Sequence, residues 1–134
     1  MTQVIDRTGF IADAWAGVEA ADLSEYAGGA VLLMPVDAAP EDAVAFFEAA
    51  QMIVIPFASS ADGRGFSIAA ALRGLGYRGH LRARGHVLVD QFRAALRQGF
   101  DDVEISDEQA ARNPEAQWRT VALDLSYQSR LFAA

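Results

Sequence analysis

The sequence predicts an α/β fold in a single domain over residues 1–134, a parallel sheet of about four βα units with an N-terminal β-hairpin lead-in. Three observations carry this. Short continuous apolar runs, Ala30-Val31-Leu32-Leu33-Met34 and Met52-Ile53-Val54-Ile55, suit strands buried on both faces. Stretches with helical apolar spacing alternate with strands, and two of them stop at Gly76 and Gly99. The links between these elements are short, which favours parallel strands joined by right-handed crossovers.

The lead-in, residues 1–29, opens with Val4-Ile5 and Phe10-Ile11 flanking Asp6-Arg7-Thr8-Gly9, a hairpin pattern with Gly9 in the turn. Trp15, Val18 and Leu23 are its expected anchors on the main body, and Gly28-Gly29 breaks the segment. The βα repeats span residues 30–126. After the first strand, Pro40 suits the first turn of a helix, with Glu41 and Asp42 at its positive end. Val44, Phe46 and Phe47 supply the apolar face. The second strand leads through Ala58-Ser59-Ser60-Ala61-Asp62-Gly63-Arg64-Gly65 into a helix over Phe66 to Leu75. His80-Leu81-Arg82-Ala83-Arg84 reads as the third strand and Val87 to Gln98 as the next helix. Val103-Glu104-Ile105 is a short fourth strand. Ser106 and Gln109 match a capping box for a helix that Asn113-Pro114 disturbs. Val121, Leu123 and Leu125 alternate like a final strand, and residues 127–134 form a tail. The sheet is either open and flavodoxin-like or a curled half of a βα barrel.

Composition narrows the functions. The chain is 52% hydrophobic and 22% charged, a globular profile. It has no cysteine, which excludes disulfides, thiolate zinc sites, cysteine-ligated clusters and a catalytic thiol. The net charge of -7 argues against nucleic acid as a partner. No apolar run is long enough to cross a bilayer, and the N-terminus lacks the basic start and apolar core of a signal peptide, so the expected location is cytoplasmic with no membrane partner. All eleven basic residues are arginines, each a fixed fork suited to oxyanions.

Ligands of parallel α/β sheets bind beyond the carboxyl ends of the strands. That rule collects Asp37, then Ser59, Ser60, Asp62 and Arg64, then Arg84, His86, Asp90 and Gln91, then Ser106 and Asp107, on one expected rim. Alternation puts His80, Arg82 and Arg84 on one face of a strand that should be apolar. Either this marks a site, or the arginines are solvated or paired with Asp62 or Asp90. The loop Asp62-Gly63-Arg64-Gly65-Phe66-Ser67 offers backbone amides, a helix start and a guanidinium to an anion. Its other reading is a turn capped by Asp62 or Ser67. A dinucleotide fingerprint fails, because Ile68 stands where the third glycine or alanine belongs. His80 and His86 have no metal-site spacing. Asp101-Asp102 and Glu104 read as a solvated turn and strand face, and Trp15, Trp118 and Tyr127 as packing anchors.

The run Asp62-Gly63-Arg64-Gly65-Phe66-Ser67, with Leu72-Arg73, Gly76-Tyr77, Gly79, Leu81-Arg82-Ala83, Gly85, Val87-Leu88, Asp90-Gln91 and Gly99-Phe100-Asp101, resembles the domain of unknown function 934 family of bacteria. The likeness is strong from Ile55 to Ile105 and touches Tyr127-Gln128-Ser129-Arg130-Leu131. Members are labelled as oxidoreductases of sulfite reduction, a label resting on genes neighbouring those for sulfite reductase and phosphoadenylylsulfate reductase. The resemblance implies Asp62, Arg64, Ser67, Arg73, Arg82, Asp90 and Gln91 as signature residues and supplies no reaction. His80 and His86 replace a more usual glutamate and aspartate, which discounts both as essential catalytic groups.

The expected function is therefore an accessory protein of assimilatory sulfate or sulfite reduction. It binds a small oxyanion or anionic metabolite through Asp62, Gly63, Arg64, Gly65, Ser67, Arg82, Arg84, Asp90 and Gln91. One alternative is a non-catalytic partner of sulfite reductase in which those charges fix the fold. Another is an oxidoreductase, which without cysteine needs NADP, flavin or a partner's cofactor. No cofactor motif is evident, and a homo-oligomer is compatible with the sequence.

Overall fold

A computed structural model describes residues 1–122. The strands are β1 (Thr2–Asp6), β2 (Gly9–Ile11), β3 (Ala21–Asp22), β4 (Val31–Leu33), β5 (Met52–Phe57), β6 (His80–Gly85) and β7 (Asp102–Ser106). Among the described residues they form one sheet in the order β2-β1-β7-β6-β5-β4-β3. β3 to β7 run parallel, each beside its successor. β1 is antiparallel to both β2 and β7, so the predicted hairpin extends the sheet along one edge. Every crossover in the parallel part steps the same way and the order never reverses. This is the winding of half a βα barrel; a flavodoxin-like sheet needs a reversal, and the ligand crevice of that fold lies at the reversal.

One-way winding with crossovers of one hand places the connecting helices on one face. The core follows. Ile53, Ile55, Leu81, Ala83, Val103 and Ile105 point to that face and cluster with Ile68, Leu72, Phe92 and Ala95. These come from α1 (Arg64–Gly74) and α2 (Phe92–Arg97). The alternate residues face away. Val31, Met52 and Val54 make a second, smaller cluster, on which Trp15 and Ala20 of the lead-in pack.

Some elements depart from expectation for local reasons. The stretch after β4 is a 3-10 helix, Pro40–Phe46, with the proline at its start as predicted. The helix expected from Val87 begins later, as a 3-10 turn over Val89–Gln91 that runs into α2. Leu88 is extended there, and Gln91 Oε1 accepts its N–H at 2.9 Å, capping the turn. α3 (Asp107–Arg112) starts as the capping pattern requires, Ser106 Oγ accepting from Gln109 N–H at 3.1 Å, and it ends before Pro114. Val121 is a correction. Residues 115–122 are helical, not a strand. Trp118 and Ala122 are buried and Val121 is half-buried, a spacing that serves a helix as well as alternation serves a strand. Leu123, Leu125, Tyr127 and the tail lie outside the described residues. β3 was not anticipated, since two residues are too few to show a period. No helix among the described residues is long and apolar enough to cross a membrane.

Candidate functional site

The parallel register places Arg82 beside Asp102 and Arg84 beside Glu104. Alternation then brings His80, Arg82, Arg84, Asp102 and Glu104 together on the face turned away from α1 and α2, helix-free among the described residues. Arg82 is 1% exposed, and Asp102 equally so. Its fork grips Asp102 bidentately, Nε to Oδ1 at 2.9 Å and Nη2 to Oδ2 at 3.1 Å. Nη1 donates to Asp13 Oδ1 at 2.9 Å and, at 3.4 Å, to Glu104 Oε1. Burial works against the Arg82 charge, but its bonds to Asp102 and Asp13 outweigh that and hold the guanidinium above its usual pKa. His80 Nε2 lies 2.7 Å from Asp102 Oδ2, a contact that needs the proton on Nε2. Trp15 closes the network, its ring 4.7 Å from that of His80 and 5.6 Å from the Arg82 guanidinium carbon.

The rim beyond the carboxyl ends of the strands holds the other predicted residues. Arg64 donates through Nε and Nη2 to Asp62, at 3.0 and 2.8 Å, and its N–H reaches the same carboxylate at 3.1 Å. The Arg64 side chain is 63% exposed. These bonds from Arg64 hold the Asp62 carboxyl down at about 2, and Asp37 adds a second negative charge near Arg64. Ser67 and Asp90 are exposed. Gln91 ties two loops together, its Nε2 donating to Ser60 O at 2.7 Å. Gly63 has open space where a Cβ would stand, whereas a Cβ on Gly65 would lie 2.5 Å from the Phe57 ring. Gly65 thus permits α1 to approach β5. Gly85, at φ +122, likewise passes against the Phe57 carbonyl, where no side chain fits.

The predicted set therefore divides. Asp62, Gly63, Arg64, Gly65, Ser67, Asp90 and Gln91 belong to the rim and the first turns beyond it. Arg82 and Arg84 lie on the helix-free face. The partners of Arg82 are Asp102, Asp13 and Glu104, not Asp62 or Asp90. The sequence held the signal for two of them: arginines at i and i+2 in one strand, and carboxylates at i and i+2 in the next. Asp13 and Trp15 carried no such signal.

Another signature arginine has a structural role. Arg73 donates to the carbonyls of Tyr77, Gly79 and Gly99 at 3.0, 2.8 and 2.8 Å, and to Asp101 at 3.0 Å. Asp101 also accepts the Leu81 N–H at 2.9 Å. Tyr77 reaches Ala50 O at 3.0 Å, and burial pushes its hydroxyl up to about 12. The motif pieces Leu72-Arg73, Gly76-Tyr77, Gly79 and Gly99-Phe100-Asp101 thus knot the end of the sheet opposite the rim.

Among the described residues, cavities open at the rim, beside the β4 end of the sheet and on its charged face. One of about 320 Å³ lies at the rim, lined by Ser60, His86, Leu88, Gln109, Arg112 and Asn113, from the segments after β5, β6 and β7. Among the described residues, no carboxylate lines it. A second, of about 510 Å³, is acidic, with Asp22, Asp37 and Asp42 in its wall. The third, about 380 Å³, lies on the helix-free face between Trp15 and Arg84. No group of metal-ligating side chains is found among the described residues.

Fold and sites together define a one-way-wound α/β protein with a braced, charged sheet face and a basic rim cavity. The chain belongs to a family of bacterial proteins of unknown function (DUF934), whose model matches residues 30–133. The match covers the βα repeats and leaves out the hairpin, Asp13 and Trp15. No curated protein and no solved structure matches the chain.

Proposed function

We propose that this protein is a cytoplasmic accessory component of assimilatory sulfate or sulfite reduction that binds a small oxyanion or anionic metabolite in the rim cavity. The sulfite setting comes from the family resemblance, and the choice of an anion comes from the site. The observation that carries it is the lining: Arg112 supplies positive charge and donors, His86 adds a ring N–H, and no carboxylate opposes them among the described residues. The cavity also lies where loops after parallel strands converge, as in βα barrels. Calorimetric titration with sulfite, sulfate and nucleotide sulfates tests it. Saturable heat with one of these, lost in Arg112→Gln and kept in Arg64→Gln, is expected. No heat with any of them, or loss in Arg64→Gln alone, overturns the assignment.

A second reading, a non-catalytic protein partner of the reductase machinery, is favoured by one observation. Arg64, Arg73 and Arg82 are each engaged by groups of this same chain. In that reading they fix the fold and an outer surface docks the partner. Co-purification with sulfite reductase or phosphoadenylylsulfate reductase from extract, without affinity for any of the anions, is its signature.

A further inference from the structure

The cavity on the helix-free face has a chemistry unlike that of the rim. We propose that it is a binding site for a free apolar α-amino acid, its ammonium group held by Glu104 and Asp13 and its carboxylate by Arg84.

Three features point to a ligand with both charges on one carbon. The first is Glu104. It is 8% exposed, it lines the cavity, and its Oε1 takes two long bonds, from Arg82 at 3.4 Å and Arg84 at 3.3 Å. Oε2 has no partner among the described residues. Glu104 lines the cavity, so this oxygen is an acceptor open to a ligand there. The second is Arg84. Among the described residues its guanidinium is engaged through Nε alone, and its side chain is 36% exposed. The terminal nitrogens therefore present the fork that grips a carboxylate in two places. The third is the balance. The cavity wall itself carries two carboxylates, Asp13 and Glu104, and two guanidiniums, Arg82 and Arg84, so a ligand there meets both signs of charge. Burial raises Asp13, but the Trp15 N–H and Arg82 overcome it and keep that carboxyl below its usual range, hence charged.

An inorganic oxyanion entering this space meets Glu104 and Asp13 as like charges. A simple amine leaves the Arg84 fork unused. An α-amino acid satisfies both at once. Trp15, Val18 and Met52 give the rest of the wall an apolar part, beside Met1, Thr2, Ala16 and Gly17, and the volume of about 380 Å³ is in the range of small-molecule sites. Trp15 and Val18 lie before the family-matched residues and the charged pair within them, so the lead-in completes the site.

The test is calorimetric titration of the intact chain with L-leucine and L-methionine. The one-charge analogues 4-methylpentanoate and isoamylamine serve as controls. Saturable heat is expected for an amino acid, with each analogue binding about tenfold more weakly or worse, since each forfeits a charge-assisted contact. Arg84→Gln should erase the preference for the amino acid over the amine. Glu104→Gln should erase the preference over the acid; where that buried change prevents folding, Asp13→Asn carries the same arm. Arg112→Gln, at the rim, should leave amino-acid binding unchanged, which separates this site from the anion site. The proposal fails if neither L-leucine nor L-methionine gives saturable heat, if 4-methylpentanoate binds as well as leucine, or if a folded Arg84→Gln protein keeps full affinity.

Discussion

The Arg82–Asp102 pair on the helix-free face and the Arg64–Asp62 pair at the rim make nearly the same contact in two different solvents. Each is a fork on a carboxylate, closing at 2.9 and 3.1 Å in the first and at 3.0 and 2.8 Å in the second. The side chains of the first pair are 2% and 1% exposed, those of the second 63% and 19%. Bond lengths do not separate them; water does. At the rim, solvent screens the attraction and competes for each donor, so the pair adds little to stability. In the sheet, each charge has lost its hydration and depends on the other, so removing one is costly even where the intact pair contributes little.

The largest expected effect is therefore at Arg82. Arg82→Met leaves Asp102 buried with only His80 beside it, and a loss of about 3–5 kcal/mol is expected in urea denaturation. Arg82→Met combined with Asp102→Leu should recover much of that loss, because the orphaned charge is gone. If Arg82→Met costs no more than Arg64→Gln, burial is not what distinguishes the two pairs.

The same contrast explains what was legible in the sequence. The alternation in His80-Leu81-Arg82-Ala83-Arg84 correctly put three polar residues on one face, because the strand period is local. What covers that face is not local. From sequence alone Asp102 and Glu104 look solvated, and the structure buries both; a carboxylate in a short strand looks the same whether water or a guanidinium lies opposite. The parallel register that settles it depends on two strands twenty residues apart. Strands β4 to β7 and the hairpin were legible from apolar runs and turn residues. The one-way strand order was not, since short links fit either winding. The rim residues were legible as a group through the strand-end rule. Arg112 and Gln109 were not, because they enter the cavity from α3, whose docking no sequence period reports.

Gly65 tests whether the glycine loop at the rim is a packing device or a ligand cradle. Its Cβ would stand 2.5 Å from the Phe57 ring, which is itself held in an aromatic cluster with Phe66 and Phe100. Gly65→Ala should cost about 1–3 kcal/mol from overpacking, partly offset by about 1 kcal/mol or less of helix propensity. Phe57→Leu in the same chain should relieve the clash. If the rim cavity binds an anion as proposed, that binding should survive in both variants. Loss of binding without loss of stability would return the glycine loop to the centre of the site and break the distinction between a structural rim loop and a functional rim cavity.

The smallest expected effect on stability is at the exposed pair, and there the informative quantity is a titration. The bonds from Arg64 hold Asp62 at about 2 when folded, against 3.8 for the free group. A carboxyl whose folded value is depressed contributes stability above its unfolded value and loses it as the pH falls through the folded one. The contribution of Asp62 is therefore complete above about pH 4 and disappears as the pH drops towards 2. Arg64→Gln should leave the urea midpoint at pH 7 within error of the wild type. Carbon-detected NMR of the Asp62 carboxyl should show its midpoint near 2 in the wild type, moving up towards the ordinary carboxylate range in the variant. An unmoved midpoint would mean that the fork at the rim is not what holds Asp62 ionised. A large fall in stability at neutral pH would mean that the rim pair is shielded from water as the sheet pair is, and the two regions would no longer differ in kind.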